Sequence, residues 1–257
     1  MFSYKSIARG ALTGVLVAAA AACGTKEAPG PLEPAAQGRV RFVNVITDPA
    51  RNPVNALLEN LAFGVNLGYT QATPPTLPAP ATALYSPVLV GNRTIVVQRT
   101  ANTSVTLATI PVVITEGQDR TVYAVGGTGG GAVGSFITTD DNATAPGATE
   151  TRLRFVNLSP TAGAVDIFVT ADGADLTTAT PLVTGLANQA ASAYVTRPTG
   201  TYQIRFVPAG TAPANRSANV LITVAAQAFP GGSARTIVAA ENTTGGAPLR
   251  GFVLTDR

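Results

Sequence analysis

The chain has 257 residues, enough for one large or two ordinary domains whose core needs neither disulfides nor metals. It carries 17 Lys and Arg against 14 Asp and Glu, no His, no Trp and a single Cys. Without His, a Ser-His-Asp triad, a Cys-His pair and His-ligated zinc are excluded, and single scattered arginines without interleaved aromatics exclude a nucleic-acid groove.

At the start, Lys5 and Arg9 precede an apolar stretch from Ala11 to Ala22 that runs into Cys23-Gly24. The run is short for a membrane span and stops at small residues, so residues 1–22 are expected to be a cleaved signal peptide. Its end resembles the lipobox of bacterial lipoproteins, in which the Cys receives a thioether-linked diacylglycerol. That resemblance implies lipidation at Cys23, followed by a Pro/Ala/Glu-rich tether over residues 23–37. Ala20 stands where that family usually has Leu, which keeps ordinary signal-peptidase cleavage as the alternative. Gly24 differs from the Asp that retains Gram-negative lipoproteins, so the implied address is the bacterial cell envelope, at the outer membrane or cell surface. Loss of Lys5 and Arg9 with the leader leaves a nearly neutral mature chain.

An internal repeat organises the remainder. Arg39-Val40-Arg41-Phe42-Val43-Asn44-Val45 recurs as Arg152-Leu153-Arg154-Phe155-Val156-Asn157-Leu158. Arg120-Thr121-Val122 answers Arg235-Thr236-Ile237, and the segment ending in Thr139-Asp140 answers the one ending in Thr255-Asp256. The spacing is domain-sized, far beyond solenoid or propeller periods. The expected organisation is a first repeat over residues 38–142, a linker over 143–149 and a second repeat over 150–257.

Both repeats read as strands. Val165, Ile167 and Val169 alternate with Asp166, Phe168 and Thr170, and Tyr202, Ile204 and Phe206 alternate with Gln203 and Arg205. Asp172-Gly173, Pro198-Thr199-Gly200, Pro208-Ala209-Gly210 and Pro230-Gly231-Gly232 supply turns. The fold class expected is all-β: two tandem antiparallel β-sandwiches of immunoglobulin-like type, without the immunoglobulin Cys and Trp marks. The Pro- and Thr-rich stretch from Ala72 to Ala83 is expected to be a long exposed loop, more simply a solvated insertion and alternatively a contact region.

The run Arg152 to Pro160, the strand Ala164 to Val169, Gly200-Thr201-Tyr202-Gln203-Ile204 and the closing Phe252 to Asp256 together resemble a bacterial domain of unknown function, number four-three-nine-seven, often found in tandem in envelope lipoproteins. The first repeat departs from it, with Ile46-Thr47-Asp48-Pro49 after the opening strand and no firm counterpart of Val165-Asp166-Ile167. The resemblance implies a β-sandwich in the cell envelope and brings no activity or catalytic residues.

Residue chemistry narrows function further. Asp166, Asp172, Asp175 and Glu241 are candidates for a two-carboxylate hydrolase, but no spacing singles out a pair. Asp140-Asp141-Asn142 offers oxygen ligands for Ca²⁺ without EF-hand spacing and reads more simply as a solvated turn. The glycines from Gly126 to Gly134 contain a formal G-x-G-x-x-G, yet a strand rather than a helix follows, so a hairpin connection is expected. Asn44 and Asn157 fall on the core face and are expected to bond loop backbone. Arg39, Arg41, Arg152 and Arg154 read as a basic strip on an outer sheet face, solvated or paired across strands. Tyr69, Tyr85, Tyr194 and Tyr202 would offer carbohydrate-stacking platforms where exposed, with Tyr202 assigned to the core. The expectation is a non-enzymatic binding, adhesion or spacer module with no cofactor and no metal, held to the membrane by its lipid and facing an envelope protein or glycan. A carboxylate-based hydrolase of envelope polysaccharide and a Ca²⁺-dependent adhesion module are the alternatives.

Overall fold

The computed structural model describes residues 35–74, 84–142 and 145–257. Residues 1–34, on which the expected signal peptide, the expected lipidation at Cys23 and most of the expected tether fall, lie outside the described residues, as do residues 75–83 of the Pro-rich stretch. Ala36 to Arg257 form one compact unit, and among its described residues the regular structure is strand apart from four short 3-10 turns.

The first half contains β1 (Gln37–Ile46), β2 (Val54–Leu58), β3 (Leu61–Leu67), β4 (Ser86–Leu89), β5 (Gly91–Arg99), β6 (Asn102–Ile114), β7 (Asp119–Gly126) and β8 (Val133–Asp140). They form two sheets, β4-β1-β7-β8 and β3-β2-β5-β6. The second half contains β9 (Glu150–Asn157), β10 (Val165–Thr170), β11 (Val183–Leu186), β12 (Ala190–Ala191), β13 (Val195–Pro198), β14 (Gly200–Pro208), β15 (Ile222–Phe229), β16 (Ser233–Ala240) and β17 (Arg250–Thr255). Its sheets are β12-β9-β16-β17, with β13 also on β9, and β11-β10-β14-β15.

Two of the four sheets correct the expectation of purely antiparallel pairing. β1 runs parallel to β7, and β9 runs parallel to β16. A parallel neighbour needs a long crossover, which each half supplies by sending its chain through the opposite sheet between the two strands. The strand that sequence left unassigned in the first half is β2, joined to β3 through Glu59 and Asn60 at φ 49° and 65°. Two successive positive φ values are the mark of the two-residue hairpin turn whose twist suits antiparallel strands.

Alternation along each strand sets up four layers. Val40, Phe42 and Ile46 of β1 pack on Val54, Ile95 and Ile110 of the facing sheet, and Leu153 and Phe155 of β9 pack on Ile167, Ile204 and Phe206. The other faces of β1 from Arg41 onward and of β9 from Arg154 onward are buried as well. Val43, Val45 and Tyr123 form a third cluster with Val156, Val238 and Leu254, so the two inner sheets lie back to back. The segment after residue 142 is fastened as well: Gly232 N–H donates to the Gly147 carbonyl at 3.0 Å and Thr199 N–H to that of Thr149 at 2.9 Å.

Candidate functional site

The side chains with the most chemistry converge between the two inner sheets. Arg41 projects from β1 on the face opposite Phe42, and Arg154 from β9 on the face opposite Phe155; each residue is only 2% exposed. Arg41 Nη2 donates to Asp256 Oδ1 at 2.7 Å, and Arg154 Nη1 to Asp140 Oδ1 at 2.5 Å. Each arginine therefore pairs with the acid of the opposite half.

Threonines close these two pairs into a ring. Arg41 Nη2 also donates to Thr121 Oγ1 at 2.9 Å, and the Thr121 hydroxyl donates to Asp140. Arg154 Nε donates to Thr236 Oγ1 at 3.0 Å, whose hydroxyl donates to Asp256 Oδ2 at 2.6 Å. Parallel pairing of β1 with β7 and of β9 with β16 sets Arg41 directly beside Thr121 and Arg154 directly beside Thr236. Arg41 Nη1 and Arg154 Nη1 further donate to the carbonyls of Thr255 and Thr139, at 2.7 and 3.3 Å.

Two tyrosines cover the ring. The Arg41 guanidinium lies 4.5 Å from the Tyr85 ring centre and that of Arg154 lies 4.8 Å from Tyr194. Tyr85 Oη donates to Asp140 Oδ2 at 2.8 Å and Tyr194 Oη to Asp256 Oδ2 at 3.0 Å. Two cations and two carboxylates leave the ring neutral, which is how charge survives away from water. Burial works against the Arg41 and Arg154 charges, but the facing phenols and acids more than offset it and hold both above the usual arginine range. Burial likewise pushes Tyr85 and Tyr194 up, so both phenols stay protonated as donors.

Several expectations change as a result. Arg41 and Arg154 are not part of a solvated strip, because the sheet face that carries them is an internal interface. Arg39 and Arg152, nearer the rim, pair with Asp119 at 2.6 Å and Asp141 at 2.7 Å. Asp140-Asp141-Asn142 is not a solvated turn: Asp140 is 4% and Asn142 5% exposed, with Asp140 fully engaged by Arg154, Thr121, Thr138 and Tyr85. Among the described residues no group of three His, Cys, Asp or Glu side chains gathers around a common point. Thr121, Thr236 and Asp256 are the participants that sequence reasoning missed. The available signal was the unbroken apolar run that follows each threonine, which marks strands covered on both faces.

The remaining candidates sit apart from the ring. Asn44 Nδ2 donates to the Leu67 carbonyl at 2.9 Å and its Oδ1 accepts from Ile46 N–H at 3.1 Å; Asn157 does the same with Leu186 and Ser159, at 3.1 Å each. Asp166 accepts from Gly185 and Gly210 N–H, Asp172 from Gln203, and Asp175 from Thr177 and Ser217. Glu241, 5% exposed, accepts from Ser159 at 2.6 Å, from Thr161 at 2.9 Å and from Gly246 N–H. Burial alone would raise its carboxyl, yet these donors outweigh burial and hold it below the usual range. The four carboxylates considered for hydrolysis thus serve four separate loop attachments. The Gly-rich stretch forms the β7–β8 connection, with one 3-10 turn at Thr128–Gly130 before β8. Tyr202 packs on the second core and Tyr69 sits half-buried on the surface.

A family profile described as a domain of unknown function, DUF4397, matches residues 38–168 and so runs from β1 through residues 143–149 into β10. No curated protein matches the chain. Among solved structures, it is similar to a leucine-rich repeat protein from Bacteroides thetaiotaomicron at 12% identity and a TM-score of 0.19, with 79% of this chain and 26% of that one covered. A superposition that loose carries no argument about fold or function.

Proposed function

We propose that this chain, which belongs to the DUF4397 family of domains of unknown function, is a non-catalytic envelope module. In this reading it is a lipoprotein anchored through Cys23 whose two immunoglobulin-like sandwiches arose by tandem duplication and present loops to an envelope protein or glycan. The observation that carries the proposal is the closed ring of Arg41, Thr121, Asp140, Arg154, Thr236 and Asp256. It commits the chain's most reactive buried groups to locking one half against the other. A rigid double body on a short tether suits display and spacing.

Matching strand orders, with a parallel pair at the same place in each half, support the duplication. Anchoring rests on the sequence pattern at Ala20-Ala21-Ala22-Cys23. Chemical crosslinking in cells followed by recovery of the tagged mature protein tests the binding role: a protein or glycan enriched over a Cys23→Ser chain supports it, and none leaves only a spacer. Detergent-phase partitioning of wild type and Cys23→Ser tests the anchor, with equal partitioning contradicting it.

A further inference from the structure

We propose that the hollow beside Tyr69 is a subsite for one uncharged sugar residue of an envelope polysaccharide. This rests on the binding-module reading and gives its ligand a chemical class. Of the four tyrosines that sequence offers as stacking platforms, Tyr85 and Tyr194 lie under guanidinium groups at 4.5 and 4.8 Å and Tyr202 packs on the second core, whereas Tyr69 packs in part against the third cluster with its nearest guanidinium at 5.9 Å. Tyr69 lines an open hollow of about 490 Å³ together with Pro49, Pro53, Asn66, Gln71 and Thr243. That volume lies in the range of small-molecule sites, about 300–1,000 Å³.

The platform is fixed before any ligand arrives. Tyr69 Oη donates to the Glu241 carbonyl at 2.5 Å, and the Arg250 guanidinium lies 5.9 Å from the ring centre. Asn66 and Thr70 both hold left-handed backbone, at φ 57° and 68°, which is costly for a β-branched residue and persists only where the surroundings impose it. The turn is held by Thr70 N–H donating to the Asn44 carbonyl at 2.7 Å and Gln71 N–H to that of Gly68 at 3.1 Å, and a conformation formed in advance is what makes a weak, small contact productive.

The polar groups match hydroxyls. Gln71 Oε1 accepts from Gly68 N–H at 2.8 Å, which leaves its Nε2 as a donor. The Asn66 side-chain amide and the Thr243 hydroxyl have no partner among the described residues. Neutral amides and a hydroxyl around an aromatic ring suit a pyranose, whose C–H face stacks while its hydroxyls both donate and accept. No lining residue is charged, whereas the hollow at Arg152 and Asp141 and the one at Arg51 and Asp48 both are. A phosphate or uronate would call for a guanidinium or ammonium in the wall.

Saturation-transfer NMR and calorimetric titration of the mature chain with cellohexaose, maltohexaose, laminarihexaose and chitohexaose, and with hexagalacturonate as the charged comparison, tests the subsite. At least one neutral hexasaccharide is expected to bind saturably. Tyr69→Ala should weaken it about tenfold or more, equivalent to about 1.4 kcal/mol, Gln71→Ala should weaken it too, and Tyr69→Phe should retain it. Silence from every neutral probe, preference for hexagalacturonate, or wild-type binding by Tyr69→Ala overturns the proposal. Should Tyr69→Ala fail to fold, Gln71→Ala and Asn66→Ala binding as wild type overturns it equally. A crosslinked partner recovered alike by wild type and Tyr69→Ala, with no saccharide bound, removes the subsite and leaves the binding-module reading standing.

Discussion

Arg41 and Asp256 stand 215 positions apart in the chain and 2.7 Å apart in the fold. The pair is answered by Arg154 and Asp140 at 2.5 Å, so the interface between the halves has the reciprocity of a two-fold dimer written into one chain. Burying four charges is tolerable only because each acid accepts several hydrogen bonds and each guanidinium has a carboxylate, a threonine and a carbonyl.

Removing one charge should therefore cost far more than removing both. Asp256→Ala leaves Arg41 buried without its acid and is expected to destabilise by about 3–5 kcal/mol. Arg41→Met combined with Asp256→Ala is expected to cost less than Asp256→Ala alone. A double-mutant cycle by urea unfolding checks this, and additive costs would show that the two residues do not act as a pair.

The tyrosines divide into useful and orphaned hydroxyls. Tyr123 is fully buried and its Oη has no partner among the described residues, so Tyr123→Phe is expected to be neutral or stabilising by up to about 1 kcal/mol. Tyr85→Phe strips a donor from Asp140 and is expected to destabilise by about 1–3 kcal/mol. Thermal unfolding of the two variants side by side reads the difference.

Glu241 gives the fold a pH dependence of defined sign. Its folded carboxyl titrates below the ordinary value, so its contribution is fully present above about pH 4.3 and fades as pH falls through the lowered folded value. The stability gap between wild type and Glu241→Gln should be widest near neutrality and narrow in acid. Denaturant midpoints from pH 7 to pH 3 measure it; a gap that widens on acidification would contradict the assignment.

Close approach at the join between the halves predicts a steric effect. A Cβ on Gly231 would overlap the Ala148 carbonyl oxygen, whereas one on Gly134 would meet nothing within 4 Å. Gly231→Ala is expected to cost about 1–3 kcal/mol by overpacking, and Gly134→Ala well under 1 kcal/mol. Chemical denaturation of both variants decides.

Much of each half was legible because it is local. Alternation placed Phe42 and Asn44, or Ile204 and Phe206, on one face, and Gly and Pro pairs such as Pro230-Gly231-Gly232 marked the turns. What escaped is non-local. Nothing in Arg41 says that the opposite face of its strand is covered, and only the pairing of β1 with β7 puts Arg41 beside Thr121. The clue was present in Val43 and Val45, apolar residues on the arginine face, and in the continuous run from Thr236 to Ala240. A strand that is apolar on both sides predicts a second layer, but not which one. The identity of that layer is set by Asp140, the last residue of β8, and Asp256, which directly follows β17; each meets an arginine of the other half.

A ring that locks the two halves together makes them unfold as one body. Differential scanning calorimetry of the protein, with wild type beside Asp140→Asn/Asp256→Asn, measures this directly. A single wild-type transition whose calorimetric and van't Hoff enthalpies agree, splitting or broadening in the double variant, is the predicted result. Two resolved wild-type transitions, unchanged by the substitutions, would mean that the ring does not lock the halves together.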